Sequence, residues 1–211
     1  MSGSARRDAR RALPARVVVA TTNRGKLAEV AAILGAGGVE VVPVETVLAG
    51  WSLDETGATF EENARAKARD VARRAGVAAL GDDSGLEVAV LGGAPGVRSA
   101  RYAGEGASDA ANVAKLLAAL RDVPAGSRQA AFRCAVALAW PDGEVVEAEG
   151  RCDGTIALAP RGTAGFGYDP VFVDVATGRT FAELGAAAKH ARSHRGRALA
   201  ALRAALAPPS P

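Results

Sequence analysis

Residues 16–35 read RVVVATTNRGKLAEVAAILG, and this stretch decides the fold. Val17, Val18 and Val19 form a β-branched run of the kind that fills a buried strand. Leu27, Val30, Ile33 and Leu34 then recur at helical spacing, and Gly35 supplies a stop. A polar loop, Thr21–Asn23, separates the two. Strand, polar loop and helix in direct succession open an α/β unit.

The alternation continues outward. VEVVPV (39–44) predicts a second strand. TFEENARAKARDVARRAG (59–76) predicts a helix: Thr59 and Glu62 have the spacing of a capping box, Ala64, Ala68, Val71, Ala72 and Ala75 form its inward stripe, and Gly76 ends it. VAALG (77–81) predicts a strand that stops at two acids. SDAANVAKLLAALRDV (108–123) predicts a helix capped by Ser108. In QAAFRCAVALAW (129–140), Phe132, Cys134, Val136, Leu138 and Trp140 share one strand face. The other face is mostly alanine, room for a closely packed element. PDGE (141–144) predicts a turn into a hairpin partner. SHRGRALAALRAALA (193–207) predicts a last helix behind Ser193. No internal repeat or second boundary interrupts this order, so residues 16–207 read as one α/β domain with a mixed sheet. Residues 1–15 read as a disordered basic tail, and the terminal APPSP as a frayed end.

Composition narrows the function. Apolar residues make up 49% of the 211, which suits a globular core. No run of eighteen uncharged apolar residues occurs, so no membrane span is expected. The net charge of +3 resides in the tail: residues 1–16 carry five arginines against Asp8, leaving the body near −1. That is no nucleic-acid footprint. The tail lacks the apolar segment of a secretory signal. Cys134 and Cys152 read as free buried thiols of a reducing cytoplasm. Arginine outnumbers lysine 22 to 4, so each lysine stands out: Lys26, Lys67, Lys115 and Lys189. Asn23 and Asn63, two of only three asparagines, lie near the first two.

Five stretches carry candidate chemistry. In the opening stretch, backbone N–H groups at the helix start, with Thr21, Thr22 and Asn23, can bind an anion. Lys26 has the wrong sign for the helix dipole unless an anion sits there; the spacing is not that of a Walker A loop. Taken alone, the stretch is better explained as a polar turn with an exposed lysine. In LDETGATFEENARAK, Asn63 and Lys67 share a helix face behind Glu55, Glu61 and Glu62. In LGDDSGLEVAV, Asp82 and Asp83 follow a strand, where α/β sheets carry their sites, and Mg²⁺ takes one or two carboxylates plus substrate phosphates. Adjacent strand residues point to opposite faces, so the two acids share a ligand only if the strand has ended. In PRGTAGFGYDPVF, glycines flank Phe166 and Tyr168; an aromatic there suits stacking on a base, and Asp169, held extended before Pro170, suits a ribose. In KHARSHRG, Lys189, His194 and Arg195 gather near a helix start. A bidentate arginine reads the O6/N7 edge of a purine and meets a donor on adenine.

In this order the stretches resemble the inosine/xanthosine triphosphate pyrophosphatases. The resemblance rests on ATTNRGKLAEV, TFEENARAKA, GDDSGLEVAVLGGAPGVRSARYAG, GFGYDPVF and KHARSHRGRAL, and covers residues 17–199. It implies an elongated mixed β-sheet flanked by helices, two lobes with a central cleft, and a homodimer. It implies hydrolysis of a nucleoside triphosphate (ITP, dITP or XTP) to monophosphate and pyrophosphate with Mg²⁺. Asp83 then takes the roles of metal ligand and general base, with Glu55 and Asp82 as further metal acids. Thr21, Thr22, Asn23, Arg24, Gly25, Lys26, Lys67 and Ser84 hold phosphates. Phe166, Gly167, Tyr168 and Asp169 hold the nucleoside, and Lys189, His194 and Arg195 read the base. Two departures accompany it: His190 stands where a small or amide residue is usual, and alanines precede Lys189 where glutamate is usual. A binding protein without hydrolysis, and cleavage of a modified pyrimidine triphosphate, are the competing readings. The retained acids speak against the first.

Overall fold

The computed structural model describes residues 11–207, which build one six-stranded sheet. In chain order the elements are β1 (Arg16–Ala20), α1 (Arg24–Gly35), β2 (Glu40–Pro43), α2 (Phe60–Ala75), β3 (Ala79–Val88), α3 (Asp109–Ala119), β4 (Gln129–Ala139), β5 (Val145–Ile156), β6 (Phe172–Asp174), α4 (Ala186–Arg192) and α5 (His194–Leu206). The strand order is β2-β1-β3-β4-β5-β6. β1 pairs in parallel with β2 and β3, and every later pairing is antiparallel. The mixed α/β sheet is as expected.

Side-chain caps set the helix starts. Asn23 accepts from the Lys26 N–H, Thr59 from Glu62, Ser108 from Ala111 and Ser193 from Gly196. Gly76 ends α2 in the left-handed conformation, with φ of 67°. Glu62 reaches the Ala58 N–H and not that of Thr59, so the capping box closes one residue early.

Three apolar clusters hold the sheet. On one face Val17, Val19, Leu80, Val136 and Leu138 pack under α1 and α5. On the other, the alanine face of β4 lies under α2, whose Ala64, Ala68, Val71 and Ala72 are buried. The third, with Phe132, Phe172 and Phe181, lies at the far end of β3–β5 beside α3.

Three expectations are corrected. β3 does not stop at Gly81; it runs through both acids to Val88, in register with β4 throughout. β6 and α4 were not foreseen. Within the segment read as a disordered tail, Arg11 pairs with Asp142 and Glu144 and lies over the Trp140 ring at 5.1 Å, and Leu13 packs on the first cluster. Residues 1–10 and 208–211 lie outside the described residues.

Candidate active site

Because β3 continues through Asp82 and Asp83, the two carboxylates emerge on opposite faces. Each face has a helix brought unusually close. A Cβ on Gly81 would collide with the Ala64 carbonyl, so α2 lies tight on β3 and sets Asn63 and Lys67 above Asp83. A Cβ on Gly150 of β5 would collide with the His194 carbonyl, so α5 lies equally tight and delivers His194 and Arg195 toward Asp82.

On the α2 face, Asn63 Nδ2 donates to Asp83 Oδ2 at 3.0 Å, while Asn63 Oδ1 accepts from the Gly57 N–H at 2.8 Å. Lys67 Nζ donates to Asp83 Oδ1 at 3.2 Å and to the Asp82 carbonyl at 3.1 Å, and it pairs with Glu55. Burial pushes the Glu55 pKa up, but Lys67, with Lys26 and Arg101, brings it below the ordinary carboxylate range. Glu55 and Asp83 thus share one cation, the Lys67 ammonium. A pair of carboxylates around one cation, open to a cavity, is the donor set a hard divalent ion takes when phosphates complete its shell. Glu55 and Asp83 therefore fit Mg²⁺.

Asp82 does not, which corrects its expected place at the metal. It is 0% exposed. Arg195 Nε donates to its Oδ2 at 2.7 Å, Lys26 Nζ lies 2.9 Å from its Oδ1, and the Cys134 thiol is 3.2 Å from Oδ2. Burial raises its pKa, yet Arg195 and Lys26 overcome that and hold it well below the usual range. Among the described residues, no three His, Cys, Asp or Glu side chains converge as a metal site.

Arg195 is itself nearly spent. Nε and Nη2 hold Asp82, Nη2 also holds Ser84 Oγ at 2.8 Å, and Nη1 pairs with Glu29. Four of its five N–H groups are engaged, so the expected bidentate contact with a purine is unavailable without breaking this network. Lys189 Nζ pairs with Glu29 Oε1 at 2.6 Å and with Asp169, leaving one N–H. His194 supplies what the arginine lacks. It is buried, stacks on Phe132 at 4.6 Å between centroids, and its Nδ1 has no protein partner. Burial, then the Arg195 charge, pushes its pKa well below the ordinary value, so the ring is neutral.

Phe166 closes this end. Its ring lies over Gly25, where a Cβ would meet it at 2.6 Å, with Lys189 Nζ 5.0 Å and Arg195 5.9 Å from the ring centroid. Tyr168 and Asp169 line the same cavity but spend their polar groups inside the protein. The Tyr168 hydroxyl donates to the Ser99 carbonyl at 2.9 Å. Asp169 accepts from the Phe166 N–H at 2.9 Å and pairs with Lys189. The expectation that these two grip the nucleoside becomes one in which they shape the aromatic loop.

A second cavity of about 390 Å³ adjoins the first. Thr21, Thr22, Glu55, Lys67 and Asp83 line it, and Asn23, Lys26 and Ser84 line both. Burial lowers the Lys26 pKa, but Asp82 and Asp83 outweigh it and leave it raised, so the ammonium stays charged. One continuous cleft therefore carries cations and acids at one end, and His194 with the spare N–H groups of Lys189 and Arg195 beside an aromatic ring at the other. Arg24 is exposed and lines neither cavity. Gly167 contributes through its backbone.

Two residues escaped the sequence reading. Glu29 sits on the inward face of α1, one turn after Lys26, a buried charge among apolar neighbours. Asn63 was noticed for its rarity but not given to Asp83.

Residues 17–205 match the model of the Ham1 family. A dITP/XTP pyrophosphatase of Geobacter sulfurreducens is 53% identical over 188 residues, 89% of this chain and 94% of that protein. One of Mycobacterium tuberculosis is 54% identical over 198 residues, 92% of this chain and 97% of that protein. The solved structure of a HAM1 protein from Coxiella burnetii superposes with a TM-score of 0.80 at 42% identity, covering 90% of this chain and 98% of that one.

Proposed function

The chain belongs to the Ham1 family and is a nucleoside triphosphate pyrophosphatase, and on that premise we propose that it hydrolyses ITP, dITP and XTP to the monophosphate and pyrophosphate, with Mg²⁺. The observation that carries the base preference is the orphan Nδ1 of buried, neutral His194, beside the spare N–H groups of Lys189 and Arg195. A 6-oxo purine offers an acceptor at position 6 to the spare N–H groups of Lys189 and Arg195, and to His194 in the tautomer that carries its proton on Nδ1. Adenine offers an amino group, which faces donors and leaves buried polar atoms unpaired.

At the other end, Lys26 and Lys67 hold the phosphates, with Asn23, Thr22 and the α1 N-terminus. Mg²⁺, held by Asp83 and Glu55, would withdraw charge from the phosphates and lower the pKa of bound water. Lys67 leaves the two carboxylates for a phosphate oxygen as substrate enters. Asp83, oriented by Asn63, takes the proton of the attacking water. Phe166 supplies a stacking face, worth ~1–3 kcal/mol. Ser84, at the junction of the cavities, donates to a phosphate. We also propose a homodimer in the cytoplasm. Both cysteines are free, as a reducing compartment would keep them.

The test is a panel of nucleotides with Mg²⁺, compared by kcat/KM. The proposal expects ITP, dITP and XTP to exceed ATP by at least about tenfold, within the span of one unpaired buried polar group at about 1–3 kcal/mol. Equal rates for ATP and ITP would refute it.

A further inference from the structure

We infer that Asp109 is a positioning residue for the base-stacking loop, a role that rests on the nucleotide reading above. Asp109 is the first residue of α3, an element outside the residues assigned to the site. Its Oδ2 accepts from the Gly167 N–H at 2.7 Å, across 58 residues of chain. Gly167 is the residue after Phe166, and the Phe166 N–H goes to Asp169. Two consecutive N–H groups of the loop are therefore pinned by two carboxylates from different parts of the chain.

The loop needs both pins. Gly165 and Gly167, on either side of Phe166, have φ of 80° and 59°. Glycine reaches these values freely, and it leaves them as freely, so the backbone alone does not hold the ring in place. Asp169 fixes the loop from inside, and Asp109 fixes it from α3. α3 is a firm anchor: Asn112, three residues on, accepts from the Ala103 N–H at 2.7 Å and donates to the Ala100 carbonyl at 3.0 Å. Asp109 and Asn112 both line the cavity that holds Phe166 and His194. A nucleoside stacking on Phe166 thus meets a ring already set in place, and the ordering cost on binding is smaller.

The test is calorimetric binding of inosine monophosphate, without metal, to wild type, Asp109→Ala, Asp109→Asn, Phe166→Ala and the Asp109→Ala/Phe166→Ala pair. Asp109→Ala is expected to weaken binding about 3- to 10-fold, the span of an exposed hydrogen bond. Asp109→Asn keeps an acceptor and is expected within about twofold of wild type, by the same scale. If Asp109 acts through Phe166, the double variant binds like Phe166→Ala alone. Tripolyphosphate, which has no base, should bind all five proteins equally. Wild-type affinity in Asp109→Ala, tighter binding, no rescue by asparagine, or a full additive loss in the double variant would each overturn the inference. Failure of wild type to bind the nucleotide at all would instead sink the nucleotide reading, and this inference with it.

Discussion

Asp82→Asn and Asp83→Asn, one residue apart, should fail in different ways. Asp82 is fully buried between Arg195 and Lys26. An amide keeps the shape but removes the charge that both cations face. Arg195 retains Glu29; Lys26 retains only Asp83, at 3.7 Å. Breaking a buried pair by removing one partner costs about 3–5 kcal/mol. For a chain of this size that corresponds to a fall in Tm of about 6–20 °C. Asp83 faces the cleft, and its partner Lys67 keeps Glu55 and the Asp82 carbonyl. Asp83→Asn should therefore cost about 1 kcal/mol of stability, one hydrogen bond's worth, and lower turnover about 10²-fold or more. Urea unfolding at pH 7 reads the first effect as a shift in midpoint at constant slope. Steady-state hydrolysis of ITP reads the second. If Asp82→Asn lost less than about 1 kcal/mol, the desolvated network would not be the anchor described here. If both variants lost turnover equally with stability intact, Asp82 would belong to the chemistry after all.

Three further outcomes follow from the same geometry. Lys67→Ala should weaken the triphosphate more than the monophosphate in calorimetry, whereas Lys115→Ala, whose ammonium holds the Tyr102 carbonyl away from the cleft, should affect neither; equal losses for both ligands would remove Lys67 from the phosphate end. Phe166→Ala should reduce kcat/KM for ITP and ATP by the same factor, because stacking ignores base identity; a change in their ratio would give Phe166 a part in base selection. His194 stays neutral when folded but protonates near 6.5 when unfolded, so the unfolded chain binds more protons below that pH and stability is lost as pH falls. At its steepest the loss is about 1.4 kcal/mol per pH unit, and it continues until the pH reaches the depressed folded value. His194→Gln should flatten the decline in Tm between pH 7 and pH 5; an unchanged slope would mean that His194 titrates normally in the fold.

Local chemistry made much of this molecule legible. The β-branched run, the polar loop and the helical stripe of residues 16–35 depend on neighbours in sequence, and β1 and α1 form where they were expected. Thr59, Ser108 and Ser193 cap the helices they were assigned, because a cap is a contact across three residues. What was misread depends on distant partners. Two adjacent acids looked like the end of a strand. β3 passes through them because Arg195, 113 residues away, neutralises Asp82 from one side, while Asn63 and Lys67 meet Asp83 from the other. The same network turns Arg195 from a free guanidinium into a nearly saturated anchor, and beside it His194 keeps an unpartnered nitrogen that no sequence pattern displays. β6 has three residues and exists by pairing with β5, so it carries no period of its own. The alanines before Lys189, noted only for the glutamate they replace, open α4.

On the proposed function, one cleft joins a 6-oxo purine end to a phosphate end, and the bond between the α- and β-phosphates is the one broken. Phosphorus NMR of ITP incubated with the protein and Mg²⁺ tests it most directly. Inosine monophosphate and pyrophosphate should appear together in equal amounts, with no orthophosphate. Inosine diphosphate with orthophosphate, or no change in the spectrum, would contradict it.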